Sequence, residues 1–161
     1  MKTAVVYYSQ SGNAAYAAEM IARELEADLV RLEPEEAYPQ SGAKKFLWGG
    51  KSALMGEEPK LKPYPFDKEA YERIVFVTPV WAGTFTPPIR SFISEQKAGW
   101  KASHFAVFTC CMGAGGQKTA DKLKKFLGIP AWDAELTLID PKTKRTEESD
   151  AKLRAFCEKL K

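Results

Sequence analysis

The chain has 161 residues, 45% of them hydrophobic and 28% charged, with a formal net charge of +3. That length buries one substantial core, so one domain over residues 1–161 and one site are expected. No apolar run approaches the roughly 20 residues that cross a bilayer, and the lysines are scattered among glutamates without interleaved aromatics, which excludes a membrane span and a nucleic-acid grip.

The opening MKTAVVYY enters a strand pattern directly, with no separate apolar region and no cleavage-site pattern, so a cytoplasmic location is expected. Three cysteines, Cys110, Cys111 and Cys157, suit a reducing compartment better than a disulfide framework. His104 is the single histidine, which argues against a zinc site and against a histidine-dependent triad.

In chain order, strand-like runs fall at Thr3 to Tyr8, Leu29 to Leu32, Ile74 to Thr78, Phe105 to Thr109 and Leu136 to Ile139, with helical patterns between them. The runs AVVYY, IVFVT and FAVFT are nearly all apolar, as in central strands of a parallel sheet covered on both faces. The first helix carries Ala15, Ala18, Ile21, Ala22 and Leu25 on one stripe, with Glu19, Arg23 and Glu26 opposite. Between Pro34 and Lys68 the pattern is least regular and mobility is expected, with a helix over KKFLWGGKSALMG weakened by Gly49 and Gly50. A third helix starts at Pro87 and Pro88 and continues through Ile89, Phe92 and Ile93. The fourth runs from Gln117 to Leu127 and stops at Gly128, and the last, from Glu147 to Leu160, carries Leu153, Phe156, Cys157 and Leu160 on one side.

In a doubly wound sheet, ligands bind beyond the carboxyl ends of the strands, so the loops after strands one, three and four are where chemistry belongs. The first, Ser9 to Ala14, offers two hydroxyls, amide side chains and a glycine before a helix N-terminus, a setting that favours an anion such as a phosphate monoester. The dinucleotide fingerprint G-x-G-x-x-G and the nucleotide-loop ending G-K-[ST] are both missing. So are the cysteine and arginine of a phosphatase loop and the acidic residues of a receiver domain. A plain helix cap by Ser9 or Ser11 stays open.

The second loop, Thr78 to Pro88, places Trp81 where it can face a flat ring or cap the core, and Gly83 where the backbone can approach closely. The third, Thr109 to Thr119, combines small side chains with three glycines. Cys110 and Cys111 read as packing or ligand-lining residues, with a redox thiol as the other possibility.

Together, YSQSGNA, TPVWAGTFTPPIRSFI and TCCMGAGG in this order resemble the flavodoxin family, especially short single-domain members with a P-V-W-x-G type second loop, over essentially the whole chain. The resemblance implies a three-layer αβα fold whose five-stranded parallel sheet has the order 2-1-3-4-5. It also implies noncovalently held FMN. The 5′-phosphate would sit on Ser9, Gln10, Ser11, Gly12, Asn13 and Ala14, without a compensating lysine or arginine. The isoalloxazine would lie between Thr78, Pro79, Val80, Trp81, Ala82, Gly83, Thr84 and Phe85 on one side and Cys110, Cys111, Met112, Gly113, Gly115 and Gly116 on the other. Backbone near Gly83 would reach flavin N5, glycine allowing that peptide either orientation.

Three features depart from the family pattern. Ala14 lacks a hydroxyl found in many members, no tyrosine stands in the third loop to cover the outer flavin face, and the chain is slightly basic where carriers are acidic. The resemblance implies either an electron carrier between redox partner proteins or a small oxidoreductase that uses NAD(P)H and a quinone-type acceptor. A scaffold without FMN is a third class.

Overall fold

Ten elements alternate along the chain in this computed structural model, which describes residues 1–40 and 42–161: β1 (Thr3–Tyr7), α1 (Asn13–Leu25), β2 (Asp28–Arg31), α2 (Gly42–Leu54), β3 (Arg73–Pro79), α3 (Pro87–Gln96), β4 (His104–Cys111), α4 (Gly116–Leu127), β5 (Ala134–Ile139) and α5 (Glu147–Glu158). All strand pairs are parallel and the order is β2-β1-β3-β4-β5, as expected. Both faces of β1, β3 and β4 are covered, which is why their sequences are apolar runs rather than alternations.

Successive side chains along each central strand enter opposite layers. Val6, Ile74, Phe76 and Val107 meet Ile89, Phe92, Leu123 and Leu127 of α3 and α4. Val5, Val75, Val77 and Phe108 meet Ala17, Ile21, Leu153 and Phe156 of α1 and α5. Each fully buried large side chain contributes roughly 1.5–3 kcal/mol.

The helix ends follow local chemistry. Pro87 and Pro88 open α3, where their missing N–H groups cost nothing. Thr146 and Ser149 form a reciprocal capping box at α5. Gly128, at φ 74°, ends α4 and donates to the carbonyls of Lys124 and Lys125. α2 runs unbroken through Gly49 and Gly50.

One boundary differs in a way that matters. The sequence ends the fourth strand at Thr109, but β4 continues through Cys110 and Cys111, which pair with Leu138 and Ile139 of β5. Cys110 and Cys111 are therefore strand residues, both about 5% exposed. The start of α4 is equally constrained, since a Cβ at Gly116 would overlap the Thr137 side chain of β5.

Two stability measurements test this packing. Gly116→Ala is expected to lower the unfolding free energy by about 1–3 kcal/mol in a denaturant titration, because the methyl has no room without shifting α4 off β5. Burial pushes the Cys110 and Cys157 thiols up to about 12 from an ordinary 9.0. Below pH 9 both states keep these protons; above it the unfolded chain ionises first, so stability falls as pH rises from 9 toward 12. The Cys110→Ala/Cys157→Ala double variant is expected to show a shallower alkaline fall in denaturation midpoint than the parent.

Candidate functional site

β1, β3 and β4 end at one edge of the sheet, and a cleft of about 340 Å³ opens there. Gln10, Ser11 and Asn13 line it from the first loop, Pro79, Val80, Trp81 and Ala82 from the second, and Cys110, Cys111 and Met112 from the third. The three loops singled out in the sequence thus converge on one space. Lys45, Phe46, Gly49 and Gly50 of α2 and Asp140 and Thr143 of the β5–α5 connection complete the walls.

The first loop turns into α1 at Gly12, which sits at φ 95° in the left-handed region that favours glycine. No side chain caps α1. The Ser9 hydroxyl instead accepts the Gly12 N–H at 3.2 Å, and the Ser11 hydroxyl accepts from Asn13 Nδ2 at 3.4 Å. The first-turn amides of α1 are left without a side-chain acceptor, and with the helix dipole they present a positive end to the cleft. The Gln10 side-chain amide donates to the Pro39 carbonyl at 2.8 Å. Ala14 faces inward at 1% exposure, packed in the α1/α5 layer.

The loop itself carries no Lys or Arg, but Lys142 of the β5–α5 connection lies beside it. Its Nζ lies 3.3 Å from the position a Cβ on Gly12 would occupy. The β5–α5 connection is held there by Asn13, whose Oδ1 accepts the backbone N–H groups of Lys142 and Thr143 at 2.9 and 3.3 Å. A signal existed in the sequence: two lysines and a proline in DPKTK follow β5 at the same edge of the sheet.

In the second loop, Trp81 and Thr84 exchange backbone hydrogen bonds of 2.9 and 3.0 Å around a two-residue turn. Ala82 at φ 50° and Gly83 at φ 72° make this a type I′ turn. Inverting the peptide between them would convert it to type II′, in which the first central residue is preferentially glycine. Ala82 occupies that place. The freedom expected from Gly83 is therefore restrained by its neighbour, a finding that sequence reading centred on glycine alone did not reach.

Thr78, Thr84 and Phe85 lie inside the protein, at 0%, 4% and 2% exposure, and do not line the cleft. Thr78 ties the loop's two ends together, its hydroxyl donating to the Pro79 carbonyl at 2.9 Å and accepting the Thr86 N–H at 3.2 Å. Trp81 is half-buried, with Tyr8 and Tyr38 meeting it edge-on at centroid distances of 5.6 and 5.1 Å. Gly49 explains how α2 closes over this group, because a Cβ there would stand 3.1 Å from the indole. Burial, reinforced by Glu57, pushes the Tyr38 hydroxyl up to about 12, so it stays neutral beside the cleft.

The third loop packs onto the second. A Cβ on Gly115 would meet Val80 at 3.0 Å and the Gly83 backbone at 3.6 Å. Gly115 also begins α4 in the left-handed region without a side-chain cap. Gly113 stands clear of its neighbours, and Gly83, Gly113, Gly115 and Gly116 shape the loops without lining the cleft. Met112 is 69% exposed at the rim. Cys110 and Cys111 direct their thiols at the carbonyls of Thr78 and Leu138, and burial raises both pKa values. Neither is disposed to form a thiolate, and among the described residues no cluster of His, Cys, Asp and Glu could hold a metal.

No curated protein sequence matches the chain. Among solved structures, a flavoprotein of Lactobacillus acidophilus in complex with FMN aligns at 21% identity and a TM-score of 0.71, covering 87% of this chain and 93% of its own. A WrbA-like flavodoxin of Agrobacterium tumefaciens aligns at 17% identity and a TM-score of 0.60, covering 97% and 92%. An azoreductase of Bacillus anthracis aligns at 13% and 0.54, covering 99% and 98%. These likenesses are of fold. The family profile described as flavodoxin matches residues 2–149, and with the same sheet order and the same three loops meeting at one edge, the chain belongs to the flavodoxin family.

Proposed function

We propose that residues 1–161 act as one FMN-binding domain that passes electrons between the flavin and a redox partner protein. The observation that carries this reading is the joining of an uncapped helix N-terminus, beside Lys142, to a cleft walled by Trp81, Val80 and Met112. The residues suit the cofactor: the cleft of about 340 Å³ falls in the size range of small-molecule sites, roughly 300–1,000 Å³, and the Gly12 turn, at φ 95°, brings uncapped first-turn amides of α1 to its edge beside the Lys142 ammonium.

In this reading Ser9, Ser11, the Gly12 turn and the first amides of α1 hold the phosphate, and Lys142 offsets part of its charge. Pro79, Val80, Trp81, Ala82, Cys110, Cys111 and Met112 hold the ring system and keep water from it. Ala14, packed in the α1/α5 layer at 1% exposure, would offer the phosphate only its backbone N–H. Bound FMN supplies acceptance and release of one or two electrons. The protein's part is position and electrostatics, so no acid or base from a side chain is required. Among the described residues no helix is long and apolar enough to cross a membrane. The proposed location is the cytoplasm, where the free thiols of Cys110, Cys111 and Cys157 would stay reduced.

A second reading, an oxidoreductase taking hydride from NAD(P)H for a quinone-type acceptor, is favoured by two observations. The third loop has exposed Met112 at the rim where an aromatic would cover the ring, and Ala82 restrains the turn whose inversion a one-electron carrier would use. Anaerobic titration separates the two. Reduction by dithionite in two resolved one-electron steps, with slow bleaching by NADH and NADPH, fits the carrier; rapid bleaching by either nicotinamide in one step fits the enzyme.

Two binding measurements test the site itself. The chain is expected to prefer FMN to riboflavin in a fluorescence-quenching titration, and equal affinities would remove the phosphate assignment. Lys142→Ala is expected to weaken FMN by about 1 kcal/mol at low salt and less at high salt, leaving riboflavin unaffected.

A further inference from the structure

The sheet separates two helical layers of opposite charge. Helices α2, α3 and α4 carry eight Lys and Arg residues against two carboxylates, whereas α1 and α5 carry three against six. A net charge of +3 conceals this division.

Three of the eight cations share one face of α4. Lys118, Lys122 and Lys125 recur at i, i+4 and i+7, on one stripe of α4. Lys118 lies against the Ala82–Gly83 turn, its Nζ 3.5 Å from the position of a Cβ on Gly83. Lys122 and Lys125 border a second groove of about 520 Å³ with Leu54, Phe85, Arg90 and Phe126. The Arg90 guanidinium rests between two rings there, 4.6 Å from the Phe85 centroid and 4.4 Å from that of Phe126. Among the described residues none of these four cations forms an ion pair, while neighbouring Lys124 is paired with Asp121. Glu58, the carboxylate that acts on Arg90, accepts a hydrogen bond from Ser94 at 2.6 Å.

The same side of the molecule exposes apolar surface. Along α2 and just beyond it Phe46, Leu47, Trp48, Leu54 and Met55 are each more than half exposed, as is Met112 across the cleft. α2 carries Lys44, Lys45 and Lys51 and no carboxylate. It lines the cleft with Phe46 and the second groove with Leu54, so the apolar surface runs past both openings. At thirteen residues it extends about 20 Å, more than a small anion can cover but within the span of a protein interface. A large apolar patch rimmed by charges of one sign has the composition of a docking site.

We propose that this face docks an acidic protein, whose carboxylates meet Lys118, Lys122, Lys125 and Arg90 while its apolar surface covers the exposed side of α2. The proposal rests on the FMN reading for the electron that crosses, and on charge and apolar exposure alone for the docking. In each encounter one electron leaves the partner's redox centre, which is oxidised, and enters the bound cofactor, which is reduced. A second encounter and protons from water complete the reduction.

Stopped-flow kinetics with the FMN-loaded chain test it, using a reduced plant-type [2Fe–2S] ferredoxin as the acidic probe and cytochrome c as a basic control accepting electrons from the reduced chain. The rate with ferredoxin is expected to fall about 10-fold or more between low and 0.3 M salt, and the rate with cytochrome c not to fall. The K118E/K122E/K125E variant is expected to lose a similar factor with ferredoxin at low salt, together with the salt dependence, while retaining FMN and its visible spectrum. Leu54→Ser/Met55→Ser is expected to raise the half-saturating ferredoxin concentration several-fold at every salt. Equal ferredoxin rates for parent and charge-reversed variant, or a ferredoxin rate that rises with salt, would overturn the proposal. A chain that takes up no FMN would defeat the cofactor reading instead. Calorimetric titration with ferredoxin then judges the docking face directly, binding by the parent but not by the charge-reversed variant sustaining it and any other result overturning it.

Discussion

Parallel pairing obliges every strand of this sheet to end at the same edge, and every helix that follows a strand to begin there. Helix N-termini, with their unsatisfied N–H groups, are thereby collected on one side of the protein. Two of the helices dispose of those donors. α3 begins with prolines that have none, and α5 is closed by Thr146 and Ser149. α1 and α4 do neither: each starts at a glycine near φ 95°, Gly12 and Gly115, with no side chain capping the first turn. The uncapped pair flanks the cleft because β1 and β4 both border β3. The site is thus a consequence of topology, made usable by withholding two caps.

Such an edge would be a loose assembly of loops unless something joined them. Asn13 links the first and last connections through two backbone donors 129 and 130 residues away in sequence. Val80 N–H reaches the Cys110 carbonyl at 3.0 Å, and Gly115 lets the third loop lie on Val80. Thr109 and Thr137 share a hydroxyl hydrogen bond of 2.7 Å, which fixes β5 under the start of α4. Because each link leads back to a paired strand, the rigidity of the sheet is carried outward to the cleft, the arrangement a preorganised site needs.

Much of this architecture was legible in the sequence. Burial on both faces left its mark as unbroken apolar runs in β1, β3 and β4, and the three loops stood out because their composition suits neither a core nor a solvated turn. What could not be read depends on distant partners. Lys142 looks like one more surface lysine until Asn13 captures its backbone. Gly49 reads as a weakness in α2 until the Trp81 indole is seen against it. Cys110 and Cys111 read as packing or ligand-lining residues, but that β4 carries them to the cleft in register with Leu138 and Ile139 depends on β5. Thr78, Thr84 and Phe85 belong to a cleft-forming loop but face its interior, and sequence proximity does not distinguish the two sides of a turn.

Ala82 is the residue where structure and chemistry pull against each other. A side chain at φ 50° carries a cost of order 1–3 kcal/mol that glycine would avoid. The surrounding loop can sustain it, since Trp81 and Thr84 are bridged, Thr78 grips Thr86, and Gly115 packs on Gly83. What the alanine provides is a turn with one accessible form. Glycine at both central positions would allow the peptide to invert freely, leaving a mixture of shapes at the rim. With Ala82 in place, the backbone beside Lys118 and the rim of the cleft keep a single geometry, and any inversion must draw its energy from binding at that rim rather than from the resting protein.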